Sequence, residues 1–144
     1  MTIVSGLKTW RCFYAKSNPQ ELQKLDKKTL VIGASSKDER YSNICVRMLL
    51  EYHVPVVAFG LREGMIGTVP IVTGIPKLTD IHTVSLYIGP GRQPEFYSYV
   101  LSLKPKRVIF NPGTENDEFE QLLLDKSIEV EEACTLVMLR SGEF

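Results

Sequence analysis

The residues best placed to do chemistry in this sequence are small and cationic, and they stand at the ends of apolar runs. In KTLVIGASSKDERYSNICVRMLL, Lys28 to Leu50, the run Thr29 to Gly33 leads into Gly33, Ala34, Ser35 and Ser36, and a helical pattern begins near Ser42. A strand passing through a small polar turn into a helix presents free N–H groups and the positive end of a helix dipole. That arrangement suits an anion, above all a phosphate. Arg40 stands in the same turn, and Arg62 follows the next β-branched run in Phe59-Gly60-Leu61-Arg62. Two later apolar runs end in Ile88-Gly89-Pro90-Gly91 and Asn111-Pro112-Gly113.

A nicotinamide dinucleotide would call for G-x-G-x-x-G in the first turn and an acid after the second strand. Counting from Gly33, Ser35 and Ser36 replace the second glycine and Asp38 the third, and the second strand ends without an acid. NAD is therefore disfavoured. Arg62 suits a phosphate on the adenosine ribose, a group that NADP and coenzyme A both carry. Arg40 is placed to meet a pyrophosphate.

Signs of catalysis are weak. His53 precedes the second strand and His82 begins the third, so both fall at the end of the sheet away from the ligand. Glu115, Asp117 and Glu118 gather in the first turn of a helix, where carboxylates complement the dipole. No Ser-His-Asp arrangement or metal-ligand spacing emerges. We expect no catalytic residue, no metal and no enzymatic activity. Cys45 fits the buried stripe of a helix. Cys134 follows the last strand's carboxyl end, where its thiol could face the ligand or form a mixed disulfide with a ligand thiol.

Strands and helices must hold these exits together. Strands are expected over Thr29–Gly33, Val54–Phe59, His82–Ile88, Lys106–Phe110 and Ile128–Glu132. Between them, Cys45, Met48, Leu49 and Tyr52 form one helical stripe, and Phe96, Val100 and Leu103 another over Gln93–Leu103. Thr114 with Asp117 reads as a capping box for a helix to about Lys126. An earlier helix follows Ser17-Asn18-Pro19 to about Lys27, with Leu22 and Leu25 inward. Val69–Leu78 reads as irregular because of Pro70, Gly74 and Pro76, LREGMIG as a loop, and Thr135–Leu139 as a final strand or turn. The alternation predicts an α/β fold, a Rossmann-like three-layer sandwich on a five-stranded, mainly parallel sheet of order 3-2-1-4-5.

The sequence has 144 residues with 17 basic and 17 acidic side chains, so its formal charge is zero. No global field draws it to nucleic acid or to an anionic membrane, and an anion site must be local. Three cysteines without a CxxC, and no apolar run of signal or transmembrane length, lead us to expect a reduced cytoplasmic setting. Residues 1–16 have no clean period and read as an extension packed on the domain or on a second subunit, giving a homo-oligomer; residues 17–144 form the domain.

Several segments in order, VIGASSKDERYSN, YIGPGRQPEF, KPKRVIFNPGTEN and EACTLVML, resemble the CoA-binding Rossmann domain family of small bacterial proteins. Its wider relatives include the CoA-binding domain of the succinyl-CoA synthetase α subunit and NDP-forming acyl-CoA synthetases. The resemblance spans about Ser17 to Phe144. It implies that Gly33, Ala34, Ser35 and Ser36, with Arg40 and Ser42, meet the pyrophosphate of coenzyme A. It also implies an adenosine site by Phe59, Gly60, Leu61 and Arg62, faced by Ile88, Gly89 and Pro90. The strand ends themselves put Asn111, Pro112, Gly113 and Cys134 on the same edge. Many relatives carry Asn-Pro and then lysine after strand two, where this chain has Gly60-Leu61-Arg62. The synthetase relatives use a phosphorylated histidine from a separate domain that this sequence is too short to contain. The leading expectation is a non-catalytic protein that holds CoA or an acyl-CoA as sensor, carrier or regulatory module. The alternatives are an NADP-binding oxidoreductase and an interaction module with a vestigial nucleotide site.

Overall fold

The computed structural model describes residues 25–144. The extension at residues 1–16, Cys12, and most of the helix expected from Ser17 lie outside the described residues. The chain runs through β1 (Thr29–Ile32), α1 (Tyr41–Glu51), β2 (Val56–Phe59), β3 (Gly64–Ile66), β4 (Val69–Val72) and β5 (Thr83–Leu86). It continues through two 3-10 turns (Pro90–Arg92 and Pro94–Phe96), α2 (Tyr97–Leu103), β6 (Arg107–Phe110), α3 (Asp117–Asp125), β7 (Glu129–Glu132) and α4 (Thr135–Ser141).

The strands form one sheet of order β3-β4-β2-β1-β5-β6-β7. Every pairing is parallel except that of β3 with β4. All four residues of β1 are buried, as expected of a central strand covered on both faces. Its pleat sends Val31 into one core, with Cys45, Val46 and Leu49 of α1 and Leu136 and Leu139 of α4. Leu30 and Ile32 enter the opposite core, with Val100 of α2 and Phe119 and Leu123 of α3. The result is the three-layer α/β sandwich, and each large buried side chain among these contributes roughly 2 kcal/mol.

The sheet has seven strands rather than five. β3 and β4 fall where a loop and an irregular stretch were expected. Pro70 is compatible with β4 because the parallel ladder with β2 begins one residue later, at Ala58–Ile71. The order 3-2-1-4-5 holds only when β4 takes third place: the strand expected third, β5, pairs with β1 and not on the far side of β2.

Other expectations also need correction. Thr135–Ser141 is a helix. Asn116, and not Thr114, caps α3 by accepting a hydrogen bond from the Phe119 N–H at 3.2 Å. Thr114 is buried, and its hydroxyl donates to the Asn111 carbonyl at 2.8 Å. Leu25 is exposed, not inward. The helix expected from Gln93 is helical only from Tyr97, because Pro90 and Pro94 open tight turns first.

Candidate functional site

Strand order decides where a ligand can sit. From β1 the chain crosses to β2 on one side, and it later reaches β5 on the other. In an open parallel sheet, such a reversal leaves a crevice beyond the carboxyl ends of the strands. A cleft of about 610 Å³ lies there, within the usual size range of small-molecule sites.

The first wall is the turn after β1. Gly33 has φ +96°, and a Cβ on it would meet the Tyr87 carbonyl oxygen at 2.9 Å, so only glycine suits the position. The N–H groups of Gly33 and Ala34 both donate to the Phe59 carbonyl at 2.9 Å. They are thereby tied to the sheet and are not free for an anion, which corrects the expectation for those two donors. The turn's remaining offer comes from Ser35, Ser36 and the first turn of α1, where Arg40 at the cap position provides no side-chain cap. Asn43, buried at 1% exposure, fixes this turn by donating to the Ser35 carbonyl at 2.9 Å, while its own oxygen accepts from Arg47 Nε at 2.8 Å. Sequence reasoning missed Asn43, which stands outside the stripe of Cys45, Met48, Leu49 and Tyr52.

The second wall is the exit of β2. Gly60 lies flat against the turn: a Cβ there would stand 2.3 Å from the Ala34 carbonyl oxygen. Leu61 and Arg62 follow, both exposed, with Leu61 at 70%. The third wall is the exit of β5 with Tyr87, Ile88, Gly89 and Arg92, and Pro112, Gly113 and Thr114 after β6 complete the lining.

Of the residues singled out in the sequence, the cleft brings together Gly33, Ala34, Ser35, Ser36, Arg40, Ser42, Phe59, Gly60, Leu61, Arg62, Ile88, Gly89, Pro112 and Gly113. Pro90, Asn111 and Cys134 do not line it. Asn111 is buried and structural: its amide donates to Ser85 Oγ and to the Leu86 carbonyl, each at 2.8 Å, and its oxygen accepts from the Thr135 N–H at 2.9 Å. Cys134 is half-buried at the start of α4 and packs against the core that contains Cys45. Burial pushes the Cys45 thiol up to about 11, as expected of a core residue. Tyr87 bridges this interior and the cleft. Burial first, and then the neighbouring Cys45, hold its hydroxyl well above the usual phenol range.

Sequence reasoning also passed over Lys37, Tyr41 and Arg92, which all line the cleft and are exposed. With Arg40 and Arg62 they give it four cations and, among the described residues, no lining carboxylate. Asp38 and Glu39 of the same turn stay outside the lining. On a chain of zero formal charge, this concentrates positive potential at one edge of the sheet.

The model of a CoA binding domain matches residues 27–140. The chain belongs to the CoA-binding domain family. A solved structure of an uncharacterised protein is 43% identical, covers 82% of this chain and 98% of its own, and superposes with a TM-score of 0.80. A Thermus thermophilus protein, 23% identical with a TM-score of 0.71, covers 89% of this chain and 100% of its own. A hypothetical protein from Pyrococcus horikoshii OT3, also 23% identical, has a TM-score of 0.70 and covers 89% of this chain and 92% of its own. These last two share the fold. No curated protein matches the chain. Within the CoA-binding family's fold, the match spans every strand described above.

The cleft fits such a ligand in its donors and its surfaces. Ser35, Ser36, Lys37, Arg40 and Ser42 offer hydroxyl, backbone and cationic donors to phosphate. Tyr41 and Leu61, exposed at 71% and 70%, are large apolar surfaces that a flat base or an alkyl arm would cover. No helix among the described residues is long and apolar enough to cross a membrane.

Proposed function

We propose that the protein binds coenzyme A or an acyl-CoA and holds it without transforming it. The observation that carries this reading is the cation-lined cleft at the reversal point of the sheet, in a chain of the CoA-binding family. Phosphates are met by Arg62 on the β2 side, and by Lys37, Arg40 and the uncapped first turn of α1 in the centre. Leu61 and Tyr41 are then available to the adenine ring. Coenzyme A itself would supply a thiol able to carry acyl groups as thioesters.

Support for a holder rather than an enzyme comes from the lining chemistry. Among the described residues it offers hydroxyls and cations but no imidazole, thiol or carboxylate. His53 and His82 lie before β2 and β5, at the other end of the sheet. Burial first, then the positive charges of Arg107, Lys27 and Lys106, lower the pKa of His82.

Thermal unfolding with and without ligand tests the proposal. CoA at a hundredfold excess over Kd should raise Tm by roughly 10 °C. Stabilisation by NADP and not by CoA would instead favour a dinucleotide site, and no shift with either would overturn a nucleotide role for the cleft.

A further inference from the structure

The cations of the cleft are not spread evenly with respect to what coenzyme A needs. The order β2-β1-β5-β6 makes the cleft a row, with Arg62 after β2, Lys37 and Arg40 after β1, and Arg92 after β5. Neighbouring strands stand about 4.8 Å apart. Coenzyme A has all its phosphates in one half and its thiol at the far end of an uncharged arm. The β2 and β1 exits hold adjacent cations and the uncapped helix start, so the phosphate half belongs over them. The arm then runs over β5 and β6, where no phosphate remains to be met.

Arg92 stands on that second half, exposed, lining the cleft and without an ion-pair partner among the described residues. Its position is built and not incidental. The next residue, Gln93, is fully buried and donates through Nε2 to the Ile88 carbonyl at 3.0 Å and the Thr114 carbonyl at 2.7 Å. Asn116 donates in turn to Gln93 Oε1 at 2.9 Å and to the Tyr97 hydroxyl at 2.8 Å. The Arg92 N–H donates to the Gly89 carbonyl at 3.0 Å. This clasp fastens the loop bearing Arg92 to the exits of both β5 and β6. Neither Glu95 nor Glu115 lines the cleft, and the Glu115 carboxylate turns back to accept from the Gly113 N–H at 2.9 Å.

We infer that Arg92 receives a carboxylate at the far end of the acyl group, so that the preferred ligands are thioesters of dicarboxylic acids. This rests on the CoA reading above. A guanidinium is suited to the task, since it pairs bidentately with a carboxylate. A neutral acyl group would leave Arg92 in water and gain nothing from it.

Calorimetric titration of the full-length protein with matched pairs tests the inference: succinyl-CoA against butyryl-CoA, and malonyl-CoA against propionyl-CoA, with CoA alone as reference. At least one carboxylated member should bind on the order of tenfold more tightly than its neutral partner. In Arg92→Gln that ratio should collapse toward one through loss on the carboxylated side, and Arg92→Lys should restore part of it. Equal binding of carboxylated and neutral thioesters by the wild-type chain would overturn the inference while leaving CoA binding intact. So would an equal weakening of CoA and all thioesters by Arg92→Gln, which would make Arg92 a phosphate contact. Failure of CoA and every thioester to bind would overturn both readings. An unchanged Tm of the ligand-free variants establishes that their fold is intact.

Discussion

Gly60 and Ala34 meet so closely that the cleft has no room for a side chain between them: a Cβ on Gly60 would lie 2.3 Å from the Ala34 carbonyl oxygen. The obstacle is backbone, which cannot swing aside. Gly60→Ala should destabilise the protein by about 3 kcal/mol and push the β1 turn away from β2. The midpoint of urea unfolding measures the first effect, and loss of CoA-induced stabilisation measures the second. An alanine variant with an unchanged midpoint would show that this contact is slack.

Arg62 is assigned to the phosphate on the adenosine ribose. Arg62→Ala should weaken CoA binding roughly 10- to 100-fold, the cost of a charge-assisted hydrogen bond. It should have little effect on 3′-dephospho-CoA. Arg40→Ala should weaken both ligands alike, because both keep the pyrophosphate. Titrations of the two ligands against the two variants separate these roles, and a uniform loss for Arg62→Ala would reassign it.

Asn111 and Cys134 make a contrasting pair. Asn111→Ala would strand the Leu86 carbonyl and the Thr135 N–H in the interior, while Ser85 keeps its hydroxyl contact with Thr135. A loss on the order of 3 kcal/mol is expected, seen as a lower unfolding midpoint. Cys134→Ala should leave CoA affinity unchanged, because the thiol stands outside the cleft. After incubation with CoA disulfide, intact mass should show no adduct that depends on Cys134.

Glu120 predicts how stability follows pH. Burial first, and then its hydrogen bond with Glu132 and the charges of Glu132, Asp117 and Glu115, raise its carboxyl from the usual carboxylate range to about 7. The folded state therefore holds this proton more tightly than the unfolded chain. Its contribution is full below about 4.5 and is lost as pH rises toward about 7. Glu120→Gln should raise Tm at pH 8 and have little effect at pH 4. Melting curves of both proteins across that range check the sign, and a lower Tm for the variant at pH 8 would contradict it.

What could be read from the sequence follows from how local the cause was. β1 and β6 announce themselves by apolar runs with a glycine at or soon after the exit, and α1 by its apolar spacing, all written in neighbouring residues. The turn after β1 was legible as a site for the same reason. The β3–β4 hairpin was not, since Pro70 and Gly74 look like breakers until β2 is known to pair with β4 only from Ile71. The role of Asn111 was equally hidden. Its partners Ser85 and Thr135 are brought together only when α4 packs on the parallel sheet, and at a strand exit it looked like another ligand contact. Arg92 was overlooked because its loop reads as Gly-Pro punctuation, and only the clasp through Gln93 and Thr114 turns it toward the cleft.

That clasp also divides the molecule into parts that can change separately. Gln93 and Thr114 pin together the two ends of a segment containing α2 and β6. Between those elements the chain turns through Lys104, an exposed residue with φ +49°, at the amino end of β6 and so far from the cleft. A graft or new termini placed at Lys104 would lengthen a surface loop without disturbing the ligand-facing exits. The same fold can thus gain an attachment point, for a fluorophore or for another domain, on the side opposite its binding surface.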